Sequence, residues 1–403
     1  MNKVYITAAK RTAIGKFQGS LTNLTPAEMA SIVMRDILKT TGINPEALDE
    51  VIVGNILMAG QKQGIARQAA IAAGIPAEVP AWGINMICGS GMKSIMTAYN
   101  NIRCGEANLI LAGGTENMSN AGFVMPGTIR QGIKLGNFQA LDHMVHDGLT
   151  DAFTGLHMGI TAENIAEKYG ISRQEQDEFA WNSLSKTICA IDSGRFKDEI
   201  VPVEIVQKKS VTIFDTDEHP NRTSTPEKLA SLSAAFKKEG TVTAGNASGI
   251  NDGAAFLLLA SEEAIQQHGL TPLAEIVAIG QGGVDPQIMG MGPVPAIAQA
   301  LKKANLHLKD MAVMELNEAF AAQSLGVMHQ LCQDHGVTQA DLASRINPNG
   351  GAIALGHPIG ASGARITVTL LHEMMRNRHH LGLASLCIGG GMGTALILRL
   401  AGE

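Results

Sequence analysis

The sequence predicts an α/β protein built from two similarly folded halves with an inserted loop domain, and three observations predict it. Short β-branched runs alternate with capped helical patterns, as strands do when they feed helices. One order of elements (strand, Asn, glycine-rich turn, helix, strand ending in Gly-Gly) occurs twice. Between the two copies, from about 118 to 250, turn signals and charged segments such as Asp215-Thr216-Asp217-Glu218-His219-Pro220 replace the pattern. A chain of 403 residues is long enough for two or three domains with large cores. The boundaries follow as 1–117 plus 251–270 for the first half, 118–250 for the loop domain, and 271–403 for the second half.

Taken in order, Met1-Asn2-Lys3-Val4-Tyr5-Ile6-Thr7 enters a strand-like segment directly, so no signal or transit peptide is expected. Thr25-Pro26-Ala27-Glu28 is a capping box with proline at the first helical position, and Gly42 stops that helix. Val51-Ile52-Val53 is a strand that ends near Asn55. Met92, Ile95, Met96, Tyr99 and Ile102 recur at spacings of three and four, one face of a helix, and Leu109-Ile110-Leu111-Ala112-Gly113-Gly114 follows. A second capping box, Ser172-Arg173-Gln174-Glu175, opens a helix that runs to about Gly194. The second copy has Ala312-Val313-Met314 leading to Asn317 and a glycine-rich turn bearing His357. A helix with Ile366, Leu370, Leu371 and Met374 comes next, then Leu383 to Gly390. Two like halves would bring the turns of Cys88 and His357 together at one site between them.

Composition narrows the function. The chain is 45% hydrophobic and 17% charged, a globular balance, and its net charge of −6 with no basic run excludes a nucleic-acid protein. No apolar stretch approaches the ~20 residues of a membrane span. Five cysteines without a C-x-x-C pair (Cys88, Cys104, Cys189, Cys332 and Cys387) favour a reducing compartment, the cytoplasm, and no structural zinc. No G-x-G-x-x-G followed by an acidic residue and no G-x-x-x-x-G-K-[ST] is present, which sets aside both common nucleotide folds.

Cys88, in Asn85-Met86-Ile87-Cys88-Gly89-Ser90-Gly91-Met92, sits where an apolar strand turns into a helix. Amide donors and the positive dipole end at that N-terminus favour a thiolate, and the glycines let another molecule approach the backbone. The residues alone leave two readings open, an activated nucleophile or a small buried hydrophobe. Ser90 is not in G-x-S-x-G, so a serine hydrolase elbow is excluded. His357, between Gly356 and Pro358, is badly placed to pack in a core. Gly245-Asn246-Ala247-Ser248-Gly249-Ile250-Asn251-Asp252-Gly253 is a small-residue loop of the kind that meets a ligand through its backbone. Cys104, Cys189 and Cys332 read as packing residues, and Glu318 as a structural hydrogen-bond partner.

Four ordered segments, Cys88-Gly-Ser-Gly, Asn317-Glu318-Ala319-Phe320, Asn349 to Pro358, and Cys387-Ile388-Gly389-Gly390-Gly391-Met392-Gly393, together resemble the thiolase family in its biosynthetic, short-chain branch. The resemblance runs from Ala8-Ala9-Lys10-Arg11-Thr12 to the C-terminal strand. It implies the thiolase fold, two α/β halves layered α-β-α-β-α. It implies acetyl-CoA C-acetyltransferase activity, the reversible Claisen condensation of two acetyl-CoA to acetoacetyl-CoA and CoA through an acetyl-cysteine. By this resemblance Cys88 is the nucleophile and His357 its base, while Cys387 removes the α-proton of the second substrate. Asn317 would hold a water in one oxyanion site with His357; the main-chain N–H groups of Cys88 and Gly389 would form the other. Ser248 and Ala247 match the pantetheine contact, and His157 and Met158 line the acyl and pantetheine tunnel. Phe236, Met289, Ala319 and Phe320 match its apolar walls.

The chain departs from some relatives at the nucleotide end of the coenzyme, where Asn221 replaces an arginine beside Arg222, and Lys228 replaces a serine. No metal and no cofactor are implied beyond coenzyme A and acetyl-CoA as substrates. Residues 119–141 resemble the loop that pairs dimers into a homotetramer. The alternatives are a broad-chain 3-ketoacyl-CoA thiolase and a non-catalytic acyl-CoA-binding protein of the same fold. A ketoacyl synthase would want two histidines with its cysteine, and a hydroxymethylglutaryl-CoA synthase would lack Cys387.

Overall fold

The computed structural model describes residues 2–207 and 210–402, so Met1 and Glu403, the outer limits of the predicted halves, lie outside the described residues. Nine strands form its frame: β1 (Val4–Thr12), β2 (Glu50–Gly54), β3 (Ala81–Ile84), β4 (Leu109–Asn117), β5 (Asn251–Ser261), β6 (Ala274–Gly283), β7 (Val313–Leu316), β8 (Leu381–Ile388) and β9 (Met392–Leu400). They run in the order β7-β8-β9-β6-β1-β5-β4-β2-β3. Within the sheet, among the described residues, the halves join where β1 pairs antiparallel with β6, at Tyr5 opposite Glu275 and Ile6 opposite Ala274. Two short strands, Gly15–Lys16 and Ile200–Val201, add to β5 and β1.

Outward from that seam the two halves repeat. β1, β5, β4 and β2 in the first correspond to β6, β9, β8 and β7 in the second. β2 runs parallel to β4 with Gly54 opposite Gly114, and β7 parallel to β8 with Leu316 opposite Ser385. Stepping on from these pairs aligns Asn55 with Asn317 and Glu116 with Cys387. Glu116 and Cys387 each face a glycine across the next antiparallel ladder, Gly253 and Gly393.

Helices complete five layers. Helix α1 (Pro26–Thr41) covers β1, β4 and β5 on one outside, capped by the predicted Thr25–Glu28 box and ended by Gly42 at φ 68°. Helix α5 (Pro293–Ala304) covers β6, β8 and β9 on the other. Between the sheet halves lie α2 (Ser90–Cys104) and α7 (Ser362–Asn377), which pack on each other and on strands of both halves. The predicted apolar faces of these two helices, Met92, Ile95, Met96, Tyr99 and Ile102 on one and Ile366, Leu370, Leu371 and Met374 on the other, are all buried in one cluster. Truncating one such side chain to Ala costs about 2–5 kcal/mol.

The helices meet backbone to backbone at their N-termini. A Cβ on Gly91 would lie 2.8 Å from the Gly360 carbonyl and 3.0 Å from the Ala364 nitrogen, and one on Gly363 would lie 2.5 Å from the Met92 nitrogen. Only glycine allows so close a crossing. That crossing places the turn before α2, with Cys88, against the turn before α7, with His357.

The stretch from 118 to 250 holds helices α3 (Met158–Tyr169) and α4 (Arg173–Asp192) and a hairpin of Val203–Gln207 with Ser210–Phe214. Ser172 and Glu175 make the predicted capping box of α4. Helix α3 packs on α6 (Ala321–His335) of the second half. A buried charge cluster also ties the stretch to the frame. The Arg11 guanidinium of β1 lies 2.6 Å from Glu199 and 2.7 Å from Asp217, and Thr369 of α7 donates to Glu199 at 3.1 Å. Burial works against the Arg11 charge, but the two carboxylates outweigh it and hold its pKa above the ordinary value. Removing one member of such a set leaves an unpaired buried charge and costs about 3–5 kcal/mol. Among the described residues, no helix is long and apolar enough to cross a membrane.

Candidate active site

The turn before α2 is held by its own side chains. Asn85 Oδ1 accepts from the Ile87 amide at 3.1 Å. Ser90 Oγ accepts from the Met86 amide at 2.9 Å and donates to the Ile87 carbonyl at 2.6 Å. Between them Ile87 is forced to φ 47°, a left-handed conformation that a β-branched residue adopts only under constraint. Sequence reasoning expected small residues to make this turn. Instead, a strained isoleucine puts Cys88 at the apex. Gly89 lets Ile388 of β8 close in, since a Cβ there would lie 2.3 Å from the Ile388 side chain.

Three reactive groups face one cavity of about 490 Å³, in the usual range for a small-molecule site: Cys88, His357 and Cys387. The main-chain N–H groups of Gly389 and of Cys88 itself favour the charged form of the Cys88 thiol. They do not make it a resting thiolate. Burial outweighs them and pushes the thiol up to about 11, so a base is needed to draw the proton off. Cys387 is fully buried, and desolvation followed by the neighbouring Cys88 pushes its pKa up strongly.

His357 is also buried. Its Nδ1 lies 2.5 Å from Ser362 Oγ, and Ser362 donates its only proton to the Pro358 carbonyl at 2.9 Å. Nδ1 must therefore carry the imidazole proton, and Nε2 keeps a lone pair. Burial, then the charge of Arg365, lowers the His357 pKa to about 3, so the ring is neutral at physiological pH. Its main chain is anchored by Asn251, which accepts from the His357 amide at 2.9 Å and donates to the Gly15 carbonyl at 3.0 Å. Sequence reasoning singled out neither Ser362 nor Asn251. Both lie in segments noted for their glycines, where the polar side chains were the overlooked signal.

Asn317 follows β7, next to β8, with its side-chain oxygen and nitrogen buried and without a protein partner. Unpaired buried amides are costly; the sheet register sets Asn317 across from Leu386, and it is not among the residues that line the cavity. Its neighbour Glu318 turns away from the cavity and accepts from Ser183, Asn347 and the Ile353 amide. That is the structural role expected of it.

The remaining predicted residues line the same cavity, apart from Gly389, where a Cβ would lie 3.4 Å from Ile87 and 3.6 Å from Met158 of its wall. Ser248 donates its amide to the Ala319 carbonyl at 2.9 Å, and Ala247 bridges to Phe320, so the 245–249 loop is stitched to the segment after Asn317. His157 caps α3, accepting at Nδ1 from the Gly159 amide at 3.1 Å, so its Nε2 is an N–H donor. Its ring stacks on Phe236 at 4.6 Å, and Phe236 meets Phe320 edge-on at 6.1 Å. Met158 and Met289 are buried in the wall. Lys16, Phe17 and His219 also line the cavity and were missed, although His219 stands in a segment noted for its charges.

At the nucleotide-end positions Arg222 pairs with Asp192 at 2.6 Å, and Lys228 donates to the Thr223 carbonyl at 2.6 Å. Cys104 and Cys189 are exposed and Cys332 is partly covered. The first two are therefore not the packing residues they were read as.

Comparison with known proteins places the whole chain in one family. A family model described as the thiolase N-terminal domain matches residues 4–263, and one described as the thiolase C-terminal domain matches 270–400. An acetyl-CoA acetyltransferase of Pseudomonas aeruginosa is 53% identical over 399 residues, covering 99% of each chain. One of Syntrophomonas wolfei is 52% identical, covering 98% of this chain and 99% of its own. Among solved structures, the acetyl-CoA acetyltransferase of Bacillus anthracis superposes with a TM-score of 0.94 at 45% identity, covering 99% of both chains. Human mitochondrial 3-ketoacyl-CoA thiolase in complex with CoA superposes with a TM-score of 0.93 at 43% identity, over 100% of this chain and 98% of that one.

The depressed His357 pKa has a consequence for acid stability. The unfolded chain takes a proton on this ring below the ordinary 6.5, whereas the folded protein refuses it until about 3. Stability from the neutral ring is thus complete above pH 6.5 and drains as pH falls through that window. A His357→Asn variant should lose less stability than the wild type between these limits, read as the pH dependence of the melting temperature. Parallel curves for the two proteins would show that the ring titrates normally.

Proposed function

The chain belongs to the thiolase family, and on that premise we propose that it is an acetyl-CoA C-acetyltransferase, joining two acetyl-CoA into acetoacetyl-CoA and CoA and running the reverse thiolysis. The observation that carries this reading is the convergence of Cys88, His357 and Cys387 on one cavity. In the first half-reaction the Cys88 sulfur attacks the thioester carbonyl as its proton passes to His357 Nε2, and CoA departs as the thiol with that proton. A thiol near 11 and an imidazole near 3 make a free ion pair unfavourable at rest. The transfer therefore proceeds with attack, when the new oxyanion takes over the N–H donors of Cys88 and Gly389.

In the second half-reaction the Cys387 proton passes to His357, and the thiolate so formed takes a methyl proton from the next acetyl-CoA. Its raised pKa suits that task, because a weakly acidic C–H needs a strong base. Asn317, through a water, and protonated His357 would hold the enolate oxygen. The enolate carbon then attacks the acetyl carbonyl, and the Cys88 sulfur leaves, taking the His357 proton as it returns to the thiol. His157, Ser248 and the Phe236–Phe320 wall are placed to flank the pantetheine arm. The chemistry draws on side chains and main-chain amides, with coenzyme A thioesters as substrates and no further cofactor.

Assembly and location extend the reading. The 119–141 loop exposes Phe123, Met125, Leu135 and Phe138, Leu135 at 97%. Exposed apolar side chains gathered in one loop mark an association surface, which supports a homotetramer. Light scattering should give the mass of four chains, and a dimer or monomer would refute it. Five free cysteines suit the reducing cytoplasm.

Two experiments test the chemistry. With acetyl-CoA alone, Cys387→Ala should still carry an acetyl group on Cys88, by peptide mass spectrometry, while condensation falls by about 10²–10⁴-fold, the usual worth of a general acid–base group. Near-normal turnover would make Cys387 a packing residue. The second is a substrate-length series in thiolysis. With Met289 buried in the wall, acetoacetyl-CoA should have a far higher kcat/KM than ketoacyl chains of about eight carbons, which an open pocket would favour by ~0.8 kcal/mol per buried CH₂. Flat or rising values would identify a broad-chain thiolase.

A further inference from the structure

The internal repeat gives the cavity a counterpart. The reciprocal contacts of Gly91 with Ala364 and of Gly363 with Met92 match Ser90 to Ser362, and hence Cys88 to Gly360. Sheet register matches Asn317 to Asn55 and Cys387 to Glu116. His357 therefore lies three residues ahead of the place equivalent to Cys88. In the first half a second cradle of the same design stands with a glycine in the nucleophile's place and a carboxyl in place of Cys387.

That carboxyl is fully buried, and the acyl-transfer chemistry above does not use it. Glu116 Oε1 accepts from Asn55 Nδ2 at 2.8 Å and the Leu57 amide at 3.1 Å. Oε2 accepts from the Ile56 amide at 3.1 Å and the Gly360 amide at 3.1 Å. Burial pushes its pKa up to about 8 against the pull of these bonds. Yet both oxygens are filled by N–H donors, which leaves no acceptor for a carboxyl proton, so the cradle fits a carboxylate. Three of the donors belong to the first half and one, Gly360, to the second. From Gly360 the chain reaches Ser362, the acceptor that orients His357, in two residues.

We propose that Glu116 is a positioning residue for the reaction, clamping the Gly360 main chain so that the His357 imidazole stays in line with Cys88. It is the counterpart of Cys387 turned from chemistry to alignment. Glu116 touches no substrate and acts through the His357 turn. The proposal rests on the acyl-transfer reading, because it assigns Glu116 to the service of that Cys88–His357 pair. In Glu116→Gln one face of the amide presents N–H groups to donors, so two of the four bonds are lost. A displacement of about 1 Å at a reacting group is worth about 10²-fold in rate.

The test is a four-protein cycle: wild type, Glu116→Gln, His357→Ala and the double variant. Two rates are measured at neutral pH, acetoacetyl-CoA thiolysis and alkylation of Cys88 by iodoacetamide, the latter followed by peptide mass spectrometry. Glu116→Gln should lower kcat by about 10²-fold with KM unchanged and should slow alkylation in the wild-type background. In the His357→Ala background the same substitution should leave alkylation unchanged, because the group it positions is gone. An equal effect in both backgrounds would mean general loss of structure or a direct field on Cys88, and would overturn the proposal, as would normal kcat in Glu116→Gln.

If Glu116→Gln does not fold, Asn55→Ala decides. It removes one donor and keeps the carboxylate, and it too must lower kcat only where His357 is present. A wild type inactive on acetoacetyl-CoA would instead refute the proposed function, which separates the two failures.

Discussion

Everything at this site depends on a contact that side chains would forbid. Helices α2 and α7 cross with main-chain atoms nearly touching at Gly91, Gly363 and Gly360, and Gly114 of β4 lies so close to the Gly360 carbonyl that a Cβ would stand 2.0 Å away. Alanine at any of these would push the halves apart by a good part of an ångström. The turns that carry Cys88 and His357 are rigidly attached to those helix ends, so the glycine contact sets their separation. The sheet seam could not do this alone, since β1 and β6 share only two residue pairs. The central helices align the halves, and the continuous sheet follows.

The same burial that makes the alignment rigid also silences the reactive groups. Cys88, Cys387 and His357 are each shifted toward the neutral form, the thiols upward and the imidazole downward. A buried site with no ligand has little to stabilise a charge, and its fixed donors are outweighed by lost hydration. On the proposed reaction a substrate would change that balance, because its carbonyl oxygen would accept charge from the sulfur on the same N–H groups. The chemistry is thereby coupled to occupancy. A thiolate standing open to solvent would be oxidised or alkylated; a neutral thiol that ionises during attack is protected.

Much of this was legible in the sequence. The buried faces of α2 and α7, both capping boxes, the doubled order of elements and the residues around the cavity were read from spacing and from motif resemblance. What escaped was anything decided by partners far apart in the chain. Ser362 and Asn251 orient His357 through a hydroxyl and an amide with no pattern of their own. Ile87 is strained because Asn85 and Ser90 pin both sides of it, whereas its residue type predicts a strand. The protonation of Cys88 could not be read locally either. A helix N-terminus can be read locally, but the depth at which the fold buries it cannot. Exposure of Cys104 and Cys189 followed the solvent side of their helices, which a lone cysteine does not reveal.

The repeat also explains why two like halves make one site. A symmetric pair of cradles would place a nucleophile, an acid–base group and an asparagine on each side of the glycine contact. Two thiols and two bases would then compete within one small space, where like charges push thiol pKa values up, as Cys88 already does to Cys387, and imidazole values down. With Gly360 in place of the second nucleophile, the main chain can donate to Glu116. With Glu116 in place of the second thiol, a cradle built to hold a reacting oxyanion holds a permanent one. On the proposed reaction, donors that would serve transition-state charge in one cradle serve a fixed carboxylate in the other, so the second cradle would contribute rigidity to the first. Asymmetry between the turns is thus what a single shared cavity requires: one half carries the reacting sulfur, and the other carries the imidazole and the main chain that aims it.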